Sequence, residues 1–279
     1  NNPDNEEKSN KKCSVIETWE DPELDLKNEL LRGIYAYGFE KPSSIQKKAV
    51  MPFIYGINGK RRDIIAQGQS GTGKTGAFSI SSLQILDEKC PDTQVLILAP
   101  THELARQIKD VVDSISHYLK VKTVLLVGGT SVDENKKQIM KQKPQLVVGT
   151  PGRVHDIIRR RLLNVNTLRL LVLDEADEML SSGFKEQMGQ ILQYMPEDIQ
   201  IGLFSATLPD ELTAITNTFM RNPIKILVKN EELTLQGISQ YFVNLNDDSE
   251  KYDTLKDIFA TLTISQSIIY CNSTRRVDD

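Results

Sequence analysis

The stretch AQGQSGTGKTGAF, residues 66–78, carries the spacing G-x-x-x-x-G-K-T from Gly68 to Thr75. Glycines allow a tight turn whose successive backbone N–H groups point at one anion, and a following helix adds the positive end of its dipole. The apolar run DIIAQG (63–68) precedes the turn, and KTGAFSISSLQIL (74–86) follows with helical spacing. This strand–loop–helix order predicts a phosphate-binding loop. A flexible Gly/Ser linker, the alternative, rarely combines all of these features.

The residue types in the loop suit a nucleoside triphosphate with a bound Mg²⁺ ion. The Lys74 ammonium would reach the β- and γ-phosphates, and the Thr75 hydroxyl would ligate Mg²⁺. The preceding residues would surround the phosphates with their backbone N–H groups. These residues are Gln69, Ser70, Gly71, Thr72 and Gly73.

Apolar runs recur along the rest of the chain and alternate with helical patterns. The runs are continuous, which is typical of parallel strands that are covered on both faces. Repeated strand–helix–strand units indicate an α/β fold, an open parallel sheet with helices on both faces. The runs lie at 94–100, 123–129, 145–151, 168–177, 199–207 and 224–228.

Length and composition set the domain prediction. The 279 residues, 39% hydrophobic and 26% charged, suggest one large or two ordinary globular domains. We predict a disordered polar tail at 1–13, a nucleotide-binding domain at 14–228, a polar linker at 229–239 and the start of a second domain at 240–279. In that last part we expect strands at 240–246 and 266–272 around a helix near 252–262.

Several function classes are disfavoured. The net charge of −4 argues mildly against a broad basic surface that coats nucleic acid, although a small groove stays possible. No apolar run approaches the ~20 residues of a membrane span. The three cysteines are far apart and odd in number, which fits neither a disulfide framework nor a zinc site and favours a reducing compartment.

Polar side chains follow two of the predicted strands. Asp174 would hold Mg²⁺, and Glu175 would orient or deprotonate an attacking water. The alternative is an acidic surface turn. Ser205 and Thr207 would hydrogen-bond Asp177 and sense the nucleotide, although hydroxyl residues at strand ends are often simple helix caps.

The sequence spells D-E-A-D at 174–177, and six further signatures accompany it. Together they resemble the DEAD-box RNA helicase family, especially the branch of translation initiation factor four-A and the exon-junction-complex helicase. The resemblance runs from about Val15 to the last residue. It implies a RecA-like fold and the start of a second RecA-like domain. The signatures are GFEKPSSIQ (38–46), GTGKT (71–75), APTHELA (99–105), GG (128–129), TPGR (150–153) and SAT (205–207).

The resemblance also implies site residues and the cofactors ATP and Mg²⁺. Gln46 would recognise adenine through its amide, and Phe39 would stack on the base, with core packing as the alternative for that ring. Lys74, Asp174 and Glu175 would be catalytic. RNA would be bound through its backbone by Pro100, Thr101, His102, Gly128, Gly129, Thr150, Pro151, Gly152 and Arg153.

The implied activity is ATP-dependent clamping and local unwinding of RNA in translation initiation, by a monomer in the cytoplasm or the nucleus. The expected partners are single-stranded or locally duplex RNA and helical-repeat scaffold proteins of the initiation or exon-junction type, without a membrane. An ATP-gated clamp that serves as an assembly platform stays open as an alternative, and a DNA translocase is disfavoured. The family's second domain supplies arginines that complete the ATP site. Arg275 and Arg276 cannot replace them, so we expect this chain to bind nucleotide without completing turnover.

Two departures from the family pattern stand out. His102 replaces an arginine, and an imidazole is charged only below a pKa that is ordinarily about 6.5. The segment INGKRRD (57–63) is longer than the family's usual turn. Its cations Lys60, Arg61 and Arg62 either touch RNA or form a solvated turn, and the solvated turn is the more common case.

Overall fold

The computed structural model describes residues 15–56, 60–227, 239 and 241–278. The predicted tail at 1–13 lies outside the described residues, as does the predicted linker apart from Ser239. The chain forms two compact units, Asn1–Thr234 and Leu235–Asp279.

The described part of the first unit contains one parallel sheet in which seven strands follow the order β3-β4-β2-β5-β6-β1-β7. Every pair of neighbouring strands is parallel. Each predicted run of the first domain forms a strand, and the predicted fold class is confirmed. The strands are β1 (Ile64–Gln67), β2 (Val95–Leu98), β3 (Thr123–Leu126), β4 (Leu146–Gly149), β5 (Leu170–Leu173), β6 (Gln200–Ser205) and β7 (Ile224–Leu227).

Helices cover both faces of the sheet. Alternate residues of each strand point to opposite faces, so Ile64 and Ile65 contribute to two different apolar clusters. No helix in the described residues is long and apolar enough to cross a membrane. The helices of this unit are α1 (Asn28–Ala36), α2 (Ser44–Tyr55), α3 (Lys74–Ile85), α4 (His102–Ile115), α5 (Val132–Gln142), α6 (Pro151–Arg159), α7 (Ala176–Ser181), α8 (Lys185–Gln193) and α9 (Asp210–Phe219).

A buried carboxylate ties three strands together at the amino-terminal edge of the sheet. Asp63 accepts hydrogen bonds from the backbone N–H of Ile201 at 2.7 Å and of Arg221 at 2.5 Å. Burial raises the pKa of Asp63, while these hydrogen bonds act in the opposite direction. The Gln200 amide donates to the Arg62 carbonyl at 2.8 Å. The segment that leads into β1 is therefore fixed to β6 and to the start of β7.

The second unit departs from the prediction. The expected helix forms as α10 (Glu250–Thr261), followed by α11 (Thr274–Asp278). The strands predicted at 240–246 and 266–272 are wrong for the residues described there, which are irregular. Tyr241 is 90% exposed and Tyr270 is 89% exposed. An apolar run becomes a strand only when another strand satisfies its backbone groups, and within the described residues neither run has one.

Candidate functional site

The predicted phosphate loop connects β1 to α3 at the carboxyl edge of the sheet. Gly73 precedes the helix in the left-handed region with φ +96°, and Gly71 has φ +82°. Both angles are ones that glycine adopts without strain. The Gly68 N–H donates to the Ser205 carbonyl at 3.1 Å, which fixes the start of the loop against β6. The loop therefore presents backbone N–H groups and the N-terminus of a 12-residue helix at one place.

Lys74 links the loop to the acidic pair that follows β5. Its ammonium donates to the Gly68 carbonyl at 2.8 Å and to Glu175 Oε1 at 3.1 Å. Only 5% of its side chain is exposed. An incoming phosphate would offer this ammonium an acceptor in place of the carboxylate. The lysine is thus held where a phosphate group would displace Glu175.

Asp174 lies at the end of β5 with its carboxylate incompletely satisfied. Its N–H donates to the Leu98 carbonyl at 2.9 Å, and its Oδ1 is buried without a hydrogen-bond partner. Burial and then the neighbouring charge of Glu175 raise the pKa of Asp174 to about 7, and Lys74 partly offsets them. A buried oxygen without a partner costs free energy unless a cation or a donor approaches it. The site therefore favours a cation beside Asp174.

These residues fit Mg²⁺ in the form in which proteins usually hold it with a nucleotide. The described residues contain no group of three or more His, Cys, Asp or Glu side chains that could bind a metal. Mg²⁺ is commonly bound by one or two carboxylates together with substrate phosphates and water, so a full protein cage is not needed. Asp174 and Thr75 are the residues that would hold it.

A hydrogen-bonded group joins β6 to the start of α7. Asp177 Oδ2 accepts from the Thr207 hydroxyl at 2.7 Å and from the Thr207 N–H at 3.0 Å. The Asp177 N–H donates to the Ser205 hydroxyl at 3.3 Å. Burial alone would raise the pKa of Asp177, but the bonds from Ser205 and Thr207 hold it below its ordinary value. The predicted contacts are present, and their role in sensing nucleotide stays a prediction.

Gln46, the predicted adenine-recognition residue, contacts the phosphate loop directly. Its Oε1 accepts from the Ser43 N–H at 2.8 Å, and its Nε2 donates to the Gly73 carbonyl at 3.1 Å. A Cβ at Gly76 would lie 2.5 Å from Gln46 Nε2 and 2.9 Å from Phe39 Cε2. One N–H and one lone pair of the amide remain for a base. Phe39 and Gln46 therefore lie together over the first turn of α3.

The residues predicted to bind RNA follow three other strands. Thr101 caps α4 by accepting from the Leu104 N–H at 3.2 Å. His102 packs against Gly128, where an added Cβ would lie 3.0 Å from His102 Nε2. Pro151 begins α6, and Thr150 precedes it. The structure therefore brings the predicted RNA-binding segment 100–102 into contact with the predicted segment 128–129. RNA binding itself stays a prediction.

The strand order divides the carboxyl edge into two halves. Apart from Phe39 and Gln46, which precede β1 in the chain, the predicted nucleotide residues follow β5, β6 and β1, which are neighbours in the sheet. The predicted RNA residues follow β3, β4 and β2, which are also neighbours. Ligands of open α/β sheets bind at this edge. Two adjacent sites on one edge are thus available.

The comparison with known families agrees with this geometry. The family model described as DEAD/DEAH box helicase matches residues 43–215, which include every predicted site residue except Phe39. The chain belongs to this family. The match confirms the family membership that the sequence motifs predicted.

Curated and structural relatives of this DEAD-box chain are numerous. It is 52% identical over 92% of its length to "ATP-dependent RNA helicase eIF4A" of Pyricularia oryzae, and 49% identical over 95% to "Eukaryotic initiation factor 4A" of Caenorhabditis elegans. It covers 63% and 64% of those two proteins. S. cerevisiae Dbp5 bound to RNA and ADP BeF3 superposes with a TM-score of 0.79 at 36% identity, covering 92% of this chain and 64% of that one. A DEAD box protein of Methanococcus jannaschii gives 0.72 at 31% identity, covering 94% and 68%.

The sequence did not identify Ser43, Thr130 and Asn135, which contact predicted site residues of this DEAD-box chain. Arg153, a predicted RNA ligand, donates to the Thr130 carbonyl at 2.7 Å and also to Asn135, so part of its guanidinium is already engaged. The Ser43 hydroxyl donates to the Thr72 carbonyl at 2.9 Å. The S-x-x-Q spacing of Ser43 and Gln46 was a usable signal for the capping box. Thr130 and Asn135 gave no signal, because only the fold brings them to Arg153.

Proposed function

We propose that the chain is the nucleotide-binding part of an ATP-dependent RNA helicase acting in translation initiation. The observation that carries the proposal is the contact of Lys74 with both Gly68 and Glu175, next to the unpartnered oxygen of Asp174. A loop, a cation and two acidic groups with different surroundings are the parts that phosphoryl transfer needs.

ATP would bind with its phosphates in the loop and its base beside Phe39 and Gln46. Lys74 would exchange its bond to Glu175 for a phosphate oxygen, because a charge-assisted bond to phosphate is at least as strong. Mg²⁺, held by Asp174 and Thr75, would neutralise charge on the β- and γ-phosphates. Gln46 would then couple the base to the loop through Gly73.

Release of Glu175 from Lys74 would leave its carboxylate available to a water molecule. The carboxylate would orient that water and accept its proton as the water oxygen bonds to the γ-phosphorus and the bond to the ADP oxygen breaks. Asp177, held by Thr207 and Ser205, would relay the state of the γ-phosphate to the end of β6.

RNA would lie along the half of the edge formed by β3, β4 and β2. Backbone N–H groups at the start of α6 and the close approach at Gly128 suit phosphate and sugar contacts, which carry no base specificity. We further propose a first RecA-like domain at 14–228, a linker at 229–239 and a second domain beginning at 240. Helical-repeat scaffold proteins as partners are also a proposal, which rests on the family resemblance alone. A cytoplasmic site of action is a further proposal, supported by the initiation-factor names of the eIF4A relatives.

The test separates metal binding from hydrolysis. In the 279-residue chain, Asp174→Asn should abolish the Mg²⁺ dependence of ADP affinity measured by calorimetry. In a longer protein with both domains, Glu175→Gln should keep ATP and RNA bound but reduce phosphate release by about 10³-fold or more. ADP affinity that is independent of Mg²⁺ in the unaltered chain, or near-normal turnover in the Glu175 variant, would contradict the proposal. RNA clamping by the unaltered longer protein without strand separation would favour the assembly-platform alternative.

A further inference from the structure

A second cavity lies at the opposite edge of the sheet from the candidate site. Its volume is about 910 Å³, and its lining includes Asp63, Arg169, Ile199 and Arg221. Asp63 directly precedes β1, Arg169 precedes β5 and Ile199 precedes β6, so these positions mark the amino-terminal ends of the strands. None of the residues assigned to nucleotide or RNA lines it. We call this space the basic-edge cavity.

The charge around the basic-edge cavity is strongly positive in a chain whose net charge is −4. Five cations line it, namely Lys60, Arg61, Arg62, Arg169 and Arg221, with two carboxylates, Asp63 and Asp198. Asp63 is buried and accepts bonds from two backbone N–H groups. Within the described residues, none of the five cations forms an ion pair. The five cations outnumber the two carboxylates, and the charge of Arg221 acts on Asp63, so the protein offsets the positive charge of this cavity only in part.

Two of the arginines are free of side-chain bonds and close enough to repel each other. Arg61 and Arg169 make no side-chain hydrogen bond among the described residues. Burial and then the nearby charge of Arg169 lower the pKa of Arg61. Like charges held side by side cost free energy, and an anion between them would remove that cost. Guanidinium groups bind phosphate through paired N–H donors, so phosphate suits this arrangement.

Two of the other cations, Arg62 and Arg221, are held in place by backbone carbonyls. Arg62 donates through Nε to the Asn222 carbonyl at 2.8 Å, and its own carbonyl accepts from Gln200. Arg221 Nη2 donates to the Ile199 carbonyl at 2.7 Å. These acceptors are neutral, so they fix the guanidinium groups without cancelling their charge. Lys60 and Arg61 are exposed, as a solvated turn implies, while Arg62 is partly buried and bonded to Asn222.

We propose that the basic-edge cavity binds phosphate groups, presented either by an RNA backbone or by a free polyphosphate. The RNA source rests on the proposed function, whereas the phosphate chemistry does not. A cavity of this volume holds a ligand with several phosphates, and its position keeps it separate from the β3-β4-β2 half of the carboxyl edge. RNA bound here would be a second contact, outside the predicted groove.

The experiment removes the two unbonded arginines in the 279-residue chain. Calorimetric titrations with tripolyphosphate, a ten-nucleotide oligouridylate and poly-glutamate are run with ADP saturating the nucleotide loop. Arg61→Gln with Arg169→Gln should weaken tripolyphosphate binding at least about tenfold. For the oligonucleotide, the slope of log affinity against log salt should become shallower by about 1.4, from about 0.7 per lost phosphate contact. If the arginine variant loses affinity for tripolyphosphate alone, the phosphate groups come from a free polyphosphate. If it loses affinity for the oligonucleotide as well, they also come from RNA.

A matched control removes two positive charges from the same edge without touching the cavity. Lys89→Gln with Lys120→Gln alters two exposed lysines near the starts of β2 and β3. Three outcomes would overturn the proposal. They are equal losses of affinity in both double variants, no loss of affinity in the arginine variant, and poly-glutamate binding as tight as that of tripolyphosphate. Arg169→Gln alone, with an unchanged thermal midpoint, repeats the test in a less altered protein. ADP titration of the unaltered chain reports separately on the proposed function, so the two failures are distinguishable.

Discussion

At the scale of single residues, Lys74 has the clearest expected effect. Lys74→Ala should weaken ATP binding about 10- to 100-fold, because one charge-assisted contact to the phosphates is lost. The fold should persist, since the backbone of the loop is still fixed to Ser205. Calorimetric titration with ATP measures the loss, and unchanged affinity would remove this loop from the nucleotide site.

Lys27 offers a matched control for Lys74. It is partly buried, and its ammonium donates to the carbonyls of Leu83 and Leu86 at the far end of α3. Lys27→Ala should lower the free energy of unfolding by about 1 kcal/mol and leave ATP affinity unchanged. Similar losses of affinity in both variants would mean that the effect at Lys74 is a general loosening of α3.

His102 tests the predicted RNA side. His102→Arg should tighten binding of single-stranded RNA and steepen its salt dependence by about 0.7 in log–log slope, because one permanent charge is added near phosphate. The control is His117→Arg, which adds the same charge at an exposed residue just beyond the other end of α4. Fluorescence anisotropy at several salt concentrations measures both. Equal changes in the two variants would place RNA away from His102.

At the scale of elements, the contact of α2 with α3 makes a prediction about base recognition. A methyl group at Gly76 would collide with Gln46 and Phe39, so Gly76→Ala should displace both side chains. With Arg61→Gln and Arg169→Gln also present, so that tripolyphosphate reports on the loop, ATP affinity should fall about tenfold, the equivalent of one lost hydrogen bond or stacking contact, while tripolyphosphate affinity stays the same. Parallel titrations with the two ligands provide the measurement. An equal loss for both would mean that the loop, and not the base site, was disturbed.

Gly189 in α8 is the control for that substitution. An added Cβ there meets no atom within 4 Å. Gly189→Ala should therefore raise the free energy of unfolding by about 0.5–1 kcal/mol through helix propensity alone, without changing either affinity.

Elements were predictable where local pattern and packing agree. The apolar runs of the first unit became strands because each pairs with a neighbouring strand, on both sides apart from the edge strands β3 and β7, and packs at least one face against the core. The runs around Tyr241 and Tyr270 have the same local pattern but no pairing strand among the described residues, and the prediction of strands failed there. The spacing of apolar residues indicates which side chains prefer burial, but it does not indicate whether a pairing strand is present.

At the scale of the whole molecule, coupling between ligands is the property to measure. We expect the affinity of the 279-residue chain for RNA to be the same with and without a non-hydrolysable ATP analogue. This expectation rests on our proposal that ATP tightens RNA binding only by favouring a closed arrangement of two complete RecA-like domains. A several-fold gain in RNA affinity with the analogue would show that the coupling resides in the first unit.

The whole-molecule arrangement was the part least accessible from sequence. The division of the carboxyl edge into predicted nucleotide and RNA halves depends on the strand order, and no local pattern encodes that order. The same holds for the basic-edge cavity, where Arg61 meets Arg169 and Arg221 from about 110 and 160 residues away. The candidate catalytic and loop residues could be named in advance because short consecutive motifs indicate their chemistry.

The order of the strands also has a consequence for how the protein folds during its synthesis on the ribosome. The strand that carries the phosphate loop, β1, pairs with β6 and β7, which follow about 140 and 160 residues later. A ribosome adds about 5–20 residues each second, so roughly 7 to 32 seconds pass before the neighbours of β1 have been synthesised. Its apolar residues Ile64 and Ile65 stay unpaired throughout that time. ATP cannot stabilise the emerging chain until nearly the whole first unit has been made, and we expect nascent-chain chaperones to protect this segment first.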